Sequence, residues 1–196
     1  MQIEKRSLCL VGSILSDKIY ELVEMAKMMN DFDLVGLEMN PSCPNIKGDF
    51  LENSQKIIDG CRAVKKVSRF PLILKLSVVH DIRSILPEVE GIIEAISINS
   101  VPWEIIFPGK KSPLAHLGGG GVSGEIAQPH TWGFVEKLVS TTSIPVIGPS
   151  VWEFEDIEQL RKIGAKAISF GSVVFRFPLG CRPTMYVRKD MKRNRN

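Results

Sequence analysis

Asn40-Pro41-Ser42-Cys43-Pro44-Asn45 places a thiol between two carboxamides. The stretch follows an apolar run, Leu34-Val35-Gly36-Leu37, that reads as a buried strand ending at Glu38-Met39. Pro41 and Pro44 each fix φ near about −65°, so the cysteine between them is held in place. An Asn side chain has two donors and an acceptor and suits the edge of a planar, imide-like ring. A free cysteine titrates at about 8.5 and needs only a modest push to act as a proton acceptor near neutrality. Cys43 is therefore the candidate base, with Asn40 and Asn45 as candidate ring-binding residues. The plainer alternative is a turn holding a small buried thiol.

Further polar residues recur where apolar runs end. Lys75 interrupts Leu72-Ile73-Leu74-Lys75-Leu76, and a lysine in a buried strand calls for an anionic or strongly accepting partner. A reduced flavin ring, a phosphate or a carboxylate would each serve, as would an escape to solvent at the strand end. Asn99-Ser100 closes Ile96-Ser97-Ile98 and adds donors and acceptors, although the pair is also a common turn. The run Gly118-Gly119-Gly120-Gly121-Val122-Ser123-Gly124 loses much entropy on ordering, which points to backbone approaching a ring or a phosphate closely, or else to a flexible linker. It lacks the Gly-Lys-Ser/Thr ending of a P-loop. Gly148 after Pro145-Val146-Ile147, and Gly171-Ser172 after Ala167–Phe170, offer unobstructed backbone near the end of the chain.

The elements that must position these residues alternate. Strand candidates are Ser7–Gly12, Leu34–Met39, Leu72–Leu76, Ala95–Ile98, Pro145–Ile147 and Ala167–Phe170. Helix-period segments run over Asp17–Met29, Phe50–Val67, Ile85–Ala95, Thr131–Leu138 and Phe154–Ile163. Strands alternating with helices predict an α/β fold with a parallel sheet covered on both faces, either open and doubly wound or closed as a (β/α) barrel. The polar residues gather at C-terminal strand ends, where a (β/α) barrel builds its sites, and this favours the barrel. A complete barrel has eight strands and this chain supplies six candidates, so an incomplete TIM-barrel type is expected over residues 1–180, followed by a basic tail at 181–196.

Composition narrows the classes. At 196 residues, 44% hydrophobic and 24% charged, the chain reads as one soluble domain. A net charge of +3 with no aromatic interleaving among the basic residues speaks against nucleic acid. Cys9, Cys43, Cys61 and Cys181 have no C-x-x-C spacing and the histidines are dispersed, so no metal site is expected. No run is long and apolar enough for a bilayer, and a cytoplasmic location with no membrane association is expected.

Taken together, the segments LEMNPSCPN at Leu37–Asn45, LKLS at Leu74–Ser77, INSV at Ile98–Val101, GGGGVSG at Gly118–Gly124, IPVIG at Ile144–Gly148 and GAKAISFGS at Gly164–Ser172 resemble the dihydroorotate dehydrogenase family. These are FMN-dependent (β/α)-barrel enzymes of pyrimidine synthesis. The resemblance implies that Cys43 removes a proton from dihydroorotate while hydride passes to the flavin, a cysteine being similar to the soluble class. It implies that Asn40, Asn45, Asn99 and Ser100 bind the substrate ring, with Asn40 also near the flavin. It further implies that Lys75, Ile98, Gly121 and Gly124 contact the FMN ring and that Gly148, Gly171 and Ser172 cradle its phosphate.

Two departures from the family pattern stand out. Ser7–Gly12 aligns with the family's third strand, so the units present correspond to strands 3 to 8. The family's Gly-x-Gly-Gly is here Gly148-Pro149-Ser150, where Pro149 has no N–H to offer a phosphate. A six-strand barrel leaves unpaired edges, and association with itself or with a chain supplying the missing strands is expected. The alternatives are a truncated, non-catalytic or accessory subunit of the family, or a flavin oxidoreductase acting on another dihydropyrimidine. The electron acceptor is left open.

Overall fold

Leu72-Ile73-Leu74-Lys75-Leu76 sets the rule by which the sheet is built. In a strand successive side chains point to opposite faces, and here Leu72, Leu74 and Leu76 are fully buried while Ile73 and Lys75 between them are half-buried. The computed structural model describes residues 9–41, 53–176 and 182–193. Its first half is a run of βα units: β1 (Val11–Ile14), α1 (Ile19–Met29), β2 (Gly36–Met39), α2 (Ser54–Val67), β3 (Leu72–Leu76), α3 (Ile82–Val89) and β4 (Ala95–Ile98). These strands pair in parallel in the order β1-β2-β3-β4. The register sets Ser13 beside Glu38, Glu38 beside Ile73, and Lys75 beside Ser97.

One face of this sheet is apolar and covered by helices. Leu37 and Met39 of β2, the three leucines of β3, and Ile96 and Ile98 of β4 join Leu22 and Ala26 of α1, Ile57, Cys61 and Val64 of α2, and Ile82, Ile85 and Val89 of α3 in one core. Helix starts follow capping chemistry: Asn53 accepts from the Lys56 N–H at 3.0 Å, and Asp81 from the Arg83 N–H at 3.2 Å. The Asp81 cap and the left-handed Gly91 explain why α3 spans Ile82–Val89 instead of the Ile85–Ala95 of the sequence reading. The apolar period carries on past the helix because Ile93 is buried in the turn that leads into β4.

The second half continues with β5 (Val101–Pro102), α4 (Trp103–Ile106), β6 (Gly121–Val122), α5 (Gln128–Thr141), β7 (Ile147–Gly148), α6 (Asp156–Ile163), β8 (Ala167–Ile168), α7 (Val173–Arg176) and α8 (Arg182–Arg193). β5 and β6 form a small antiparallel ribbon, whereas β7 and β8 pair in parallel. A parallel bridge between Ile96 and Val146 ties β4 to the segment leading into β7. Six parallel strands therefore follow one another, an α/β arrangement with a parallel sheet. Among the described residues, no strand pairs with the outer edge of β1 or of β8.

The glycine run folds on itself. Gly118, Gly119 and Gly120 all have positive φ, and a Cβ on Gly120 would lie 2.8 Å from Leu114 Cδ1. The Ser112 hydroxyl donates to the Gly119 carbonyl. The close approach that four glycines imply is thus met in part by the chain's own Leu114. Arg188, Lys189, Lys192 and Arg193 lie on α8, whose Tyr186 is buried and makes an edge contact with Phe154 at 5.8 Å between ring centroids. Among the described residues, no helix is long and apolar enough to cross a membrane.

Because Leu74 is the central residue of this apolar face, Leu74→Ala should cost about 2–5 kcal/mol of unfolding free energy. Chemical denaturation followed by circular dichroism measures it.

Candidate functional site

The strand ends that carry the chain's isolated polar residues surround a pocket of about 340 Å³. This volume is at the lower end of the range of about 300–1,000 Å³ for small-molecule sites. Lys75 comes from β3, with Ile98, Asn99 and Ser100 from the end of β4. Ser123 and Gly124 follow β6, and Pro149 and Ser150 follow β7. Ser169, Phe170, Gly171 and Ser172 follow β8. For β3, β4, β7 and β8 parallel pairing makes this convergence automatic, since their C-terminal ends point one way. Hydroxyls of Ser100, Ser123, Ser150, Ser169 and Ser172, with the ammonium of Lys75, give the pocket a donor-rich wall.

Seven of the residues singled out from the sequence therefore meet: Lys75, Ile98, Asn99, Ser100, Gly124, Gly171 and Ser172. Cys43 and Asn45 lie outside the described residues. Asn40 stands half-buried just beyond β2, its N–H donating to the Ile14 carbonyl at 3.0 Å, and is not among the described lining residues. Gly121 is exposed on the β5–β6 ribbon and is likewise not among them. Gly148 is buried, and a Cβ there would meet Leu160 Cδ2 at 2.9 Å and Ala165 Cβ at 3.1 Å. That glycine lets α6 pack against the end of β7. Gly171 differs, since a Cβ added to it would meet nothing within 4 Å.

The sequence reading gave no role to Ser123, Ser150, Ser169 or Phe170, whose adjacency to the strand–glycine junctions was the available signal. Ser150 has φ 62°, a left-handed conformation that glycine adopts more cheaply. Helix α5 holds it there. Gln128 Nε2 donates to the Ser150 carbonyl at 2.8 Å, Thr131 Oγ1 and Ser150 Oγ are 3.1 Å apart, and Trp132 Nε1 donates to the Pro149 carbonyl at 3.2 Å. Asp156 Oδ2 accepts from the Trp152 and Glu153 N–H groups at 2.7 and 2.8 Å, fixing the rest of the loop to the start of α6. The loop is rigid by construction, with two carbonyls engaged by α5.

Lys75 has the anionic partner that its place in an apolar strand requires. Its Nζ lies 3.1 Å from Glu38 Oε1, with the two side chains 26% and 15% exposed. The Ser13 hydroxyl donates to the same oxygen at 3.0 Å, and the Ser97 hydroxyl to Oε2 at 2.7 Å. Ser97 stands on β4, two strands from Glu38. Neighbouring strands are about 4.8 Å apart, so the long Glu38 side chain reaches across β3 to meet Ser97.

Two further groups bear on proton chemistry. Cys61 is fully buried in α2, and burial pushes its thiol up to about 12, which keeps it protonated. His80, in the turn after β3, is 4% exposed and accepts the Ser77 N–H on Nδ1 at 3.2 Å. Nε2 then carries the proton and, among the described residues, has no hydrogen-bond partner. Burial lowers this imidazole from 6.5 to about 4. No group of three or more His, Cys, Asp or Glu able to hold a metal ion occurs among the described residues.

With this geometry in view, the chain's relatives are informative. A family model described as "Dihydroorotate dehydrogenase" matches residues 2–181. The chain is 32% identical over 191 residues to the "Dihydroorotate dehydrogenase B (NAD(+)), catalytic subunit" of Alkaliphilus oremlandii, covering 93% of this chain and 62% of that protein. The protein of the same name from Methanocaldococcus jannaschii is 30% identical over 184 residues, covering 89% and 59% respectively. That from Malacoplasma penetrans is 28% identical over 190 residues, covering 92% and 61%. The chain thus spans less than two thirds of the length of these relatives.

His80 makes the fold sensitive to acid. Its folded value of about 4 lies below the unfolded 6.5, so the unfolded chain binds the extra proton between those pH values. Stability should therefore fall by about 3 kcal/mol as pH drops through that window. His80→Asn, which keeps an acceptor for the Ser77 N–H, should flatten this part of the curve when urea midpoints are measured from pH 7 to pH 4.

Proposed function

Since this chain belongs to the dihydroorotate dehydrogenase family, we propose that it carries the flavin- and substrate-binding mouth of an oxidoreductase that converts dihydroorotate to orotate in pyrimidine biosynthesis. The fold in this reading is a (β/α) barrel of TIM type, with six βα units equivalent to strands 3 to 8 and a basic C-terminal segment at 181–196. The observation that carries it is the convergence of Lys75, Asn99, Ser100, Gly124, Gly171 and Ser172 on one pocket from separate strands.

The residues present suit FMN. The open backbone at Gly171 and the hydroxyls of Ser169 and Ser172 fit a phosphate, while Lys75 and Ile98 fit the edge and face of a flat ring. Bound FMN would supply the hydride acceptor. Asn40, Asn45, Asn99 and Ser100 orient the substrate ring through its imide edge, and Cys43 takes the proton from the carbon beside the one that loses hydride. Lys75 would stabilise negative charge appearing at the polar edge of the flat ring through a directed hydrogen bond. Gly121, on the β5–β6 ribbon, and Gly148, at the end of β7, belong to the same proposed cofactor site. The relatives' names support a catalytic subunit working with a partner chain and NAD(+). Association with itself or with a chain completing the sheet at β1 and β8 completes the proposal, which places the protein in the cytoplasm.

A second reading, a non-catalytic or accessory member of the family, is favoured by one observation. Pro149 lacks an N–H, so the loop after Gly148 offers a phosphate one backbone donor fewer than the family's glycine-rich loop.

The visible spectrum of the purified chain tests the first reading. Incubation with FMN followed by gel filtration should leave flavin absorbance on the protein, and anaerobic dihydroorotate should bleach it. A colourless protein would overturn the proposal in favour of the second reading. Cys43→Ala should slow bleaching by about 10²–10⁴-fold, whereas Cys61→Ala should leave it within about twofold, because the Cys61 thiol is buried and protonated. Stopped-flow absorbance measures both, and equal effects would remove Cys43 from its role.

A further inference from the structure

We propose that Glu38 is the positioning residue of this pocket: its carboxylate pins the Lys75 ammonium at the pocket wall and cancels its charge. Lys75 then meets a ligand as an oriented hydrogen-bond donor with little net field. The part of this inference that concerns flavin rests on the reading given above; the pairing itself does not.

The geometry is that of a clamp. Glu38 Oε1 accepts from Ser13 on β1 at 3.0 Å and pairs with Lys75 on β3 at 3.1 Å, and Oε2 accepts from Ser97 on β4 at 2.7 Å. Both carboxylate oxygens are engaged, by donors from three strands, so the group has no room to swing. Lys75 lines the pocket and Glu38 does not. The negative charge therefore stands behind the ammonium as seen from a bound molecule. Two serines on either side hold the carboxylate, and the carboxylate holds the lysine.

Stability alone does not explain the arrangement. A largely buried ion pair often contributes no more than a well-packed apolar pair of similar volume would, and the opposite face of these same strands shows that the sheet packs well with leucine and isoleucine. What the carboxylate does change is the field at Lys75. An unpaired ammonium would attract any anion entering the pocket, whereas a neutralised one discriminates by direction. The pocket is thereby tuned for a ligand whose charge appears only during reaction rather than for a resident anion at that edge.

The test uses the whole chain and the isosteric substitution Glu38→Gln. Its first readout needs no ligand. The acetylation rate of Lys75 at one fixed pH is followed by mass spectrometry against exposed Lys27 as internal reference. Losing the carboxylate that pins the ammonium should raise the Lys75 rate about tenfold, with Lys27 unmoved. An unchanged rate overturns the inference whether or not flavin binds. Should Glu38→Gln fail to fold, Lys75→Met gives the reciprocal measurement: at fixed pH the ¹³C resonance of the Glu38 carboxylate should move from its position in the parent, and an unmoved resonance overturns the pairing. The second readout is addition of sulfite to bound FMN. The variant, with a net cation beside the ring, should bind sulfite at least tenfold more tightly, and equal or weaker binding overturns the charge-cancelling role. A parent protein that takes up no FMN refutes the flavin reading alone, since the acetylation rate still decides what Glu38 does.

Discussion

Alternation along β2, β3 and β4 is the constraint from which the rest of the molecule follows. Leu37, Met39, Leu72, Leu74, Leu76 and Ile96 all turn toward the helices and are sealed from water. Once that face is committed, the intervening residues have only the other side to occupy. That side receives Ser13, Glu38, Lys75 and Ser97, whose groups are polar or charged and must satisfy one another at close range. One hydrophobic decision on one face thus creates a polar layer on the other. Because the strands are parallel, the layer lies just beneath a common mouth, where the loops add Asn99, Ser100 and the serines after β7 and β8.

Much of this was legible in the chain. The strand–helix alternation can be read directly because each buried strand is a short apolar run bounded by glycine, proline or asparagine, and β3 and β4 fall where those runs fall. The need of Lys75 for an anion follows from its apolar neighbours alone. Its partner was harder to single out: Glu38 stands in a motif whose asparagines and cysteine draw the eye, and nothing in one strand tells which residue of another faces it. Register supplies that knowledge, and register is a property of the pairing. The glycine run carries a similar ambiguity. Consecutive glycines report that backbone must come close to something, and Leu114 is as good a neighbour as a ligand. Gly148, a candidate for the anion cradle, also answers a packing demand from the side chain of Leu160.

Environment, which composition does not show, decides how Cys61 behaves. Cys61 faces the helix–sheet core, where removing its proton would strand a charge without solvent or partner. His80 is governed by the same desolvation, and its neutrality is reinforced by the Ser77 N–H that occupies one ring nitrogen. Burial thus decides which titratable groups are quiet near neutrality, and it does so without reference to any bound molecule.

The loop after β7 is wired to its neighbouring helix through Gln128, Thr131 and Trp132, with Ser150 kept in a backbone state that a β-carbon resists. A molecule that draws Ser150 toward itself must work against those three side chains, and one that leaves it in place inherits their rigidity. Occupancy of the mouth and cohesion of α5 are therefore thermodynamically linked: a ligand that grips this loop slows amide exchange along a helix it never touches.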